Sequence, residues 1–298
     1  SALDNLMLAA PPLGAGLEVS KIVRKTQNDY ISYWKAFRAV VYVENNYELA
    51  LLASTYASLI NAPLIIQGTS LDTDSVFEDR NIICVGNAGR TGSERYTLEQ
   101  LQQKYVDNTK TDKIMLVNPN DLNVKITGTF SPQKSYSINY TYSSDSLAAP
   151  ILAAAKQEVI ISSSAIDYTK YDQVDVFIEN KIRQLGIKAE YLTIIANPDA
   201  IENSFYSGFN DTVDENYDSA DQWQYAKING DRFLDIGVGR IFGITISDTS
   251  SCIARNIFYA ETLKNPNSVY LNSKEKAFAE RSEVYTIGKA FSAAGYDV

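Results

Sequence analysis

Residues 228–241 read INGDRFLDIGVGRI, a stretch whose side chains carry oxygen at calcium-loop spacing. Asn229, Asp231 and Asp235 are acceptors, and Gly230 allows a sharp turn between the first two. Calcium loops collect oxygen ligands from near-alternate positions in this way. Lys227 stands two residues before Asn229, where a carboxylate belongs in such a loop, and Arg232 adds a second cation. The same residues also suit an Asx-type turn that feeds a buried strand through Ile236 and Val238. Asn229, Asp231 and Asp235 are therefore the metal candidates of the chain, with the plain turn as the alternative. Just upstream, Asp211, Asp214, Glu215, Asp218 and Asp221 form an acidic run that either helps to hold a cation or stays solvated.

Phosphate chemistry is excluded by spacing. A Walker loop requires GxxxxGK[ST], and a dinucleotide fingerprint requires GxGxxG opening a helix. Gly237 and Gly239 supply the first two glycines of the latter, but Phe242 occupies the third position. The run VGNAGRTG after Cys84 is glycine-rich without either pattern. No cofactor-binding residue is assigned.

The chain contains no histidine. Ser-His-Asp and Cys-His catalysis both need an imidazole base. His-based zinc sites are excluded with them, and two cysteines cannot close a Cys-only zinc site. No catalytic residue is assigned. Cys84, in NIICVG, and Cys252, in SSCIARNIFYA, read as core residues, since unpaired cysteine is among the most buried types.

A net charge of −9 argues against nucleic acid and against an anionic membrane surface as partners. No apolar run approaches the length of a membrane span, so no membrane insertion is expected. Asn139 and Asn210 head the sequons Asn-Tyr-Thr and Asn-Asp-Thr. With 20 Tyr and abundant Ser, Thr and Asn, they suit an extracellular or cell-surface protein. The N-terminal SALDNLMLAAPPLGAGLEVSK lacks the basic flank of a signal peptide and reads as a mature N-terminus or linker.

Stepping along the chain, hydrophobic period switches repeatedly between strand and helix. FRAVVYV is a β-branched strand, and NNYELALLASTYASLI follows with Leu49, Leu52, Tyr56 and Leu59 at helical spacing. NAPLIIQG and RNIICVGN are further strands. LEQLQQKYV predicts a helix, KIMLVNP a strand, DSLAAPILAAAK a helix despite Pro150, and QEVIISSS a strand. YDQVDVFIENKIRQLGI is an amphipathic helix with Gly186 near its end, and EYLTIIANPDAI a strand with its loop. This alternation predicts an α/β fold with a mostly parallel sheet flanked by helices.

The segment LLASTYASLINAPLIIQGTSLD (51–72) echoes SLAAPILAAAKQEVIISSSAID (146–167). At one constant offset Leu52 matches Leu147, Ala53 Ala148, Ile65 Ile160, Ile66 Ile161 and Asp72 Asp167. The echo reflects two related α/β halves or the convergence of two helix–strand corners. After Pro198 regularity lapses into a long loop or an excursion of short strands. It resumes with RFLDIGVGRIFGI, a helix near Ser247–Leu263 capped by Asp248 and its Ser/Thr neighbours, and a last helix ending at Gly295. The chain closes on YDV, which reads as the start of a next strand. The expected division is an N-terminal extension over 1–36, a first α/β unit over 37–187 and a second segment over 188–298.

YLTIIANPDAI, SADQWQYAKINGDRFLDIGVGRI and the two following helices together resemble the gingipain-like cysteine peptidases. Pro198, Ile201, Asp221, Tyr225, Asn229, Gly230, Asp231, Asp235, Gly239, Arg240 and Ile241 carry the resemblance, which covers mainly residues 188–298; Lys227 and Arg232 depart from it. It implies a caspase-like, Rossmann-like three-layer sandwich. It further implies the non-catalytic part of a secreted or cell-surface cysteine endopeptidase, whose His-Cys dyad lies downstream of this chain. The partner is then the remainder of its own longer polypeptide. Neither Cys84 nor Cys252 stands at the family's nucleophile position. Glu280 lies on the last helix, where some members place an acidic substrate-pocket residue. The alternative on the same fold is an inactive structural or binding protein of the cell surface, partnered by other copies in a layer, filament or adhesin. A nucleotide- or sugar-binding α/β domain is a third reading.

Overall fold

A computed structural model describes residues 29–123, 144–202, 204–206, 219–221, 223–229, 234–243, 245–259 and 283–296. Those up to Ile257 belong to one compact unit, and those from Phe258 onward to a second. The first unit is α/β, with two four-stranded parallel sheets flanked by helices.

The first sheet contains β1 (Ala39–Val43), β2 (Leu64–Ile66), β3 (Asn81–Val85) and β4 (Glu94–Tyr96), in the order β2-β1-β3-β4. Helix α1 (Tyr47–Leu59) connects β1 to β2, and the single turn α2 (Asp74–Phe77) precedes β3. Asn46 starts α1 by accepting the Leu49 N–H at 3.1 Å, one of the donors a helix start leaves unpaired. Alternation along β1 sends Val41 and Val43 into the large core, while Val40 and Tyr42 pack with Val76 and Phe77 on the other face.

Strand β4 and its approach escaped the sequence reading. Parallel neighbours ordinarily need a crossover of about a dozen residues or more, yet the short run between β3 and β4 suffices. Arg95 fills it, donating to the carbonyls of Gly86 at 2.8 Å, Ala88 at 3.0 Å and Arg90 at 2.9 Å. Gly92 is required there, because a Cβ would stand 2.5 Å from the Ile82 carbonyl oxygen and 2.7 Å from the Cys84 sulfur. The VGNAGRTG glycines thus serve a tight parallel return.

Helix α3 (Leu98–Thr109) follows, opened by a capping box between Thr97 and Gln100. The second sheet contains β5 (Lys113–Val117), β6 (Val159–Ile161), β7 (Tyr191–Ile195) and β10 (Gly237–Ile241), in the order β10-β7-β5-β6. Strands from both sides of position 187 therefore share one sheet. Helix α4 (Ala149–Lys156) precedes β6, and α5 (Tyr171–Leu185) leads to β7. Pro150 lies in the first turn of α4, where its missing N–H has no intrahelical partner to lose.

The two sheets have the same winding. In each, the first strand lies between the second and third, and the fourth adds outside the third. The echoed sequence segments fall on equivalent parts, α1–β2 and α4–β6, and the helices α1 and α4 pack against each other.

Strand β6 ends its sheet but is fully buried, because α3 covers it. Gln102 donates to the Ile160 carbonyl at 2.9 Å and accepts from Lys181 of α5 at 3.2 Å. Between β7 and β10 runs an antiparallel pair, β8 (Ser204–Tyr206) with β9 (Ser219–Asp221), the second of the two alternatives, a long loop or short strands, left open for this region. Helix α6 (Ile246–Ile257) starts with Asp248 accepting the Thr245 N–H at 2.9 Å. Helix α7 (Glu283–Ala293) lies in the second unit.

Candidate functional site

Ligands of parallel α/β sheets bind beyond the carboxyl ends of the strands, where the strand order reverses. In the second sheet that place lies between the ends of β5 and β7. Asn118 leaves β5 and donates its amide to the Ala200 carbonyl at 2.7 Å, bridging the two strand ends. Beside it the loops supply two buried carboxylates, Asp121 and Asp145.

Asp121 accepts the Ser146 hydroxyl and, at 3.0 Å, the Ser146 N–H. Tyr47 of α1 shares a 2.7 Å hydrogen bond with the same hydroxyl. Asp145 accepts the Thr249 hydroxyl and the backbone N–H groups of Gly243 and Asn197. A Cβ on Gly243 would come 2.7 Å from the Thr249 nitrogen, so the close approach at this corner depends on glycine. Glu48, also from α1, accepts the Ser162 hydroxyl at 3.0 Å and the Ser164 N–H at 3.3 Å after β6. The first helix of one half thus clasps the strand ends of the other.

Burial governs the electrostatics. It pushes the Asp121 carboxyl up to about 6 against the two Ser146 donors, with Asp145 adding to the rise. Asp145 is raised by burial too, opposed by Thr249, Gly243 and Asn197. These acids hold a constellation of loops together. Their donors are serine, threonine and backbone groups, with Tyr47 behind Ser146 and neither an imidazole nor a thiol in the network.

The cysteines lie elsewhere. Cys84 is buried in β3 with its thiol 3.3 Å from the Arg90 carbonyl. Burial raises its pKa, the opposite of an activated nucleophile. Cys252 is exposed, which corrects its expected place in the core. The inward positions of α6 are Ser247, Thr249 and Ile253.

Asn229 and Asp235 are brought together, but on each other. The Asp235 carboxylate accepts the Asn229 backbone N–H at 3.0 Å and its side-chain amide at 2.9 Å. The Ala226 carbonyl closes the turn by accepting the Asp235 N–H at 2.8 Å. Asp231 lies outside the described residues, as do the sequon residues Asn139 and Asn210, and Glu280. Among the described residues no group of three or more His, Cys, Asp or Glu is placed to hold a metal ion. Strand β10 is an outer strand, with Gly237 and Gly239 exposed and Val238 half-buried. The expected burial through Ile236 and Val238 therefore holds at Ile236 and in part at Val238, and among the described residues β10 pairs with β7 alone.

Sequence reasoning passed over Arg240 as more than a motif letter. Its Nη1 donates to the carbonyls of Ala196 at 3.1 Å and Ile201 at 2.8 Å, which fastens the loop after β7 to β10. Tyr225 donates to the Glu202 carbonyl at 2.6 Å beside it. Arg240 Nε and Nη2 are buried without partners, and burial lowers its pKa to about 10. The signal available in the sequence was an arginine inside an apolar strand, a charge that needs a specific partner.

The fold and this arrangement define a parallel α/β protein whose strand-end loops are cross-linked by buried polar side chains. The sequence matches no known protein family and no characterised protein.

Proposed function

We propose that the chain is the non-catalytic part of a secreted or cell-surface gingipain-like cysteine peptidase, with the His-Cys dyad supplied outside these residues. One observation carries the reading. Among the described residues, several that bear the resemblance are tied together: Arg240 ties the Pro198–Ile201 loop, Tyr225 ties Glu202 next to it, and Asp235 clasps Asn229 at the entry to β10. The absence of histidine and the buried thiol of Cys84 accord with a chain that scaffolds the chemistry.

The test compares this chain with the natural protein that contains it, using fluorogenic peptides and a thiol-directed active-site probe. Hydrolysis and labelling by the longer protein only, lost on replacing its His or Cys, is the expected result. Hydrolysis by this chain alone, or a longer protein without such a dyad, overturns the proposal. Calcium at Asn229, Asp231 and Asp235 would have to displace the Asn229–Asp235 hydrogen bonds. Its signature would be a calcium-dependent rise in Tm that Asp235→Asn abolishes.

A second reading is favoured by the cross-linked strand-end loops. A strand-end region whose loops are cross-linked by neutral donors on buried acids, without an imidazole or thiol, suits an inactive cell-surface protein that binds other copies of itself. Concentration-dependent assembly without proteolysis in the full protein would support it.

A further inference from the structure

At the opposite end of the second sheet stands an acid that takes no part in the strand-end network. Glu158 joins α4 to β6 and is 5% exposed. Its Oε2 is buried without a hydrogen-bond partner. From β7, the Thr193 hydroxyl hydrogen-bonds the carboxyl. Lys113 at the start of β5 and Lys156 at the end of α4 are the cations whose fields reach it, and Tyr105 of α3 is the further titratable group that interacts with its charge. None of the ion pairs among the described residues involves Glu158. The corner itself is tight: Gln157, exposed, adopts a left-handed conformation at φ 56°, and the Glu158 N–H returns to the Ala153 carbonyl at 2.9 Å.

We propose that Glu158 is a pH-operated latch on the α4–β6 corner, closed while its carboxyl is protonated and released when it ionises. A neutral acid fits the site, since one oxygen meets Thr193 and the other is buried without a partner. A carboxylate there leaves a charged oxygen unsolvated, which is among the costlier things a protein interior can hold. Opening the corner brings that oxygen to water and towards Lys113 and Lys156. The direction of the titration agrees: burial, opposed by Thr193 and the two lysines, raises the carboxyl to about 7.

The folded protein therefore binds this proton more tightly than the unfolded chain does. The stabilisation is complete below the ordinary glutamate range and is lost as pH rises through about 7. Each unit of such a shift changes the unfolding equilibrium about tenfold, so the span predicts a change on the order of 100-fold.

Carboxyl-carbon NMR on the isotope-labelled wild-type chain reads the titration with no substitution. A Glu158 midpoint near neutrality is expected, and a midpoint in the ordinary glutamate range overturns the proposal. Urea unfolding at about pH 5 and about pH 8, for wild type and Glu158→Gln, reads the linkage separately from Asp121 and Asp145. The stability of Glu158→Gln relative to wild type should rise by that order between the two pH values. An unchanged difference overturns the proposal. Amide exchange at Val159–Ile161, corrected for intrinsic rates, should accelerate with pH in wild type and not in Glu158→Gln. Equal behaviour of the two leaves no latch.

Discussion

The two parallel sheets wind alike but close their strand ends by different means. In the first, the loops are held by charges paired near the surface. Asp72 accepts the Tyr42 hydroxyl at 2.9 Å and the Gly68 N–H at 3.0 Å, and Arg90 bridges it to Asp74. Burial pushes the Asp72 carboxyl up, but Gly68, Tyr42 and Arg90 outweigh it and hold it below its ordinary value. In the second, Asp121 and Asp145 are held by neutral donors in the interior and titrate high. One winding thus carries carboxylates whose pKa values move in opposite directions, because burial dominates at Asp121 and Asp145 while at Asp72 it is outweighed by hydrogen bonds from Gly68, Tyr42 and Arg90.

The largest effect that can break this comparison comes from removing one acid in each half. Asp145→Ala leaves the Thr249 hydroxyl and two backbone N–H groups without their acceptor inside the protein. It should cost on the order of 3 kcal/mol in urea unfolding. Asp72→Ala frees partners that water can reach more easily and should cost about 1 to 2 kcal/mol. A larger loss at Asp72 would show that the paired half, and not the buried network, holds the unit together.

The next effect is pH dependence, with opposite signs in the two halves. Asp121 is raised to about 6, so the folded state holds its proton more tightly. Its contribution is full below the ordinary aspartate range and declines as pH rises through about 6. The decline is worth up to about 3 kcal/mol. Asp72 is lowered, so its contribution is present above the ordinary range and is lost as pH falls through its folded value. Urea midpoints from about pH 3.5 to about pH 8 should therefore peak in mild acid. Asp121→Asn should flatten the alkaline side, and Asp72→Asn the acid side. A profile that Asp121→Asn leaves unaltered breaks the assignment of that slope to the second half.

Much of the architecture was legible because it depends on periodicity. β1, α1, β2, β3, α3, β5, α4, β6, α5 and β7 all follow from apolar spacing, and the echo between 51–72 and 146–167 marks equivalent corners. β4 was illegible because Glu94-Arg95-Tyr96 has no apolar run; Arg95 positions it through three carbonyls. The strand-end network was illegible for another reason. Asp121, Asp145, Ser146 and Thr249 look like loop and capping residues one at a time, and only the parallel sheet gathers them. Gly237 and Gly239, whose spacing excludes a nucleotide motif, are exposed positions of β10.

The smallest effects are expected along β10, where motif and stability part company. Arg240→Lys keeps a charge but loses the planar guanidinium that serves two carbonyls from one nitrogen. A loss of about 1 to 2 kcal/mol is expected, with faster amide exchange over residues 197–201, since Ala196 and Ile201 lose their donor. The Asn229–Asp235 clasp is exposed, and water can replace each of its partners. Asn229→Ala should therefore stay within about 0.5 kcal/mol of wild type. If Asn229→Ala instead matched Arg240→Lys, the turn would be a structural cornerstone on which β10 depends. If it is silent, the turn and the arginine are separable. The tie from Arg240 to the loop after β7 then accounts for the order of the second sheet's outer edge, with the clasp only setting the path into β10.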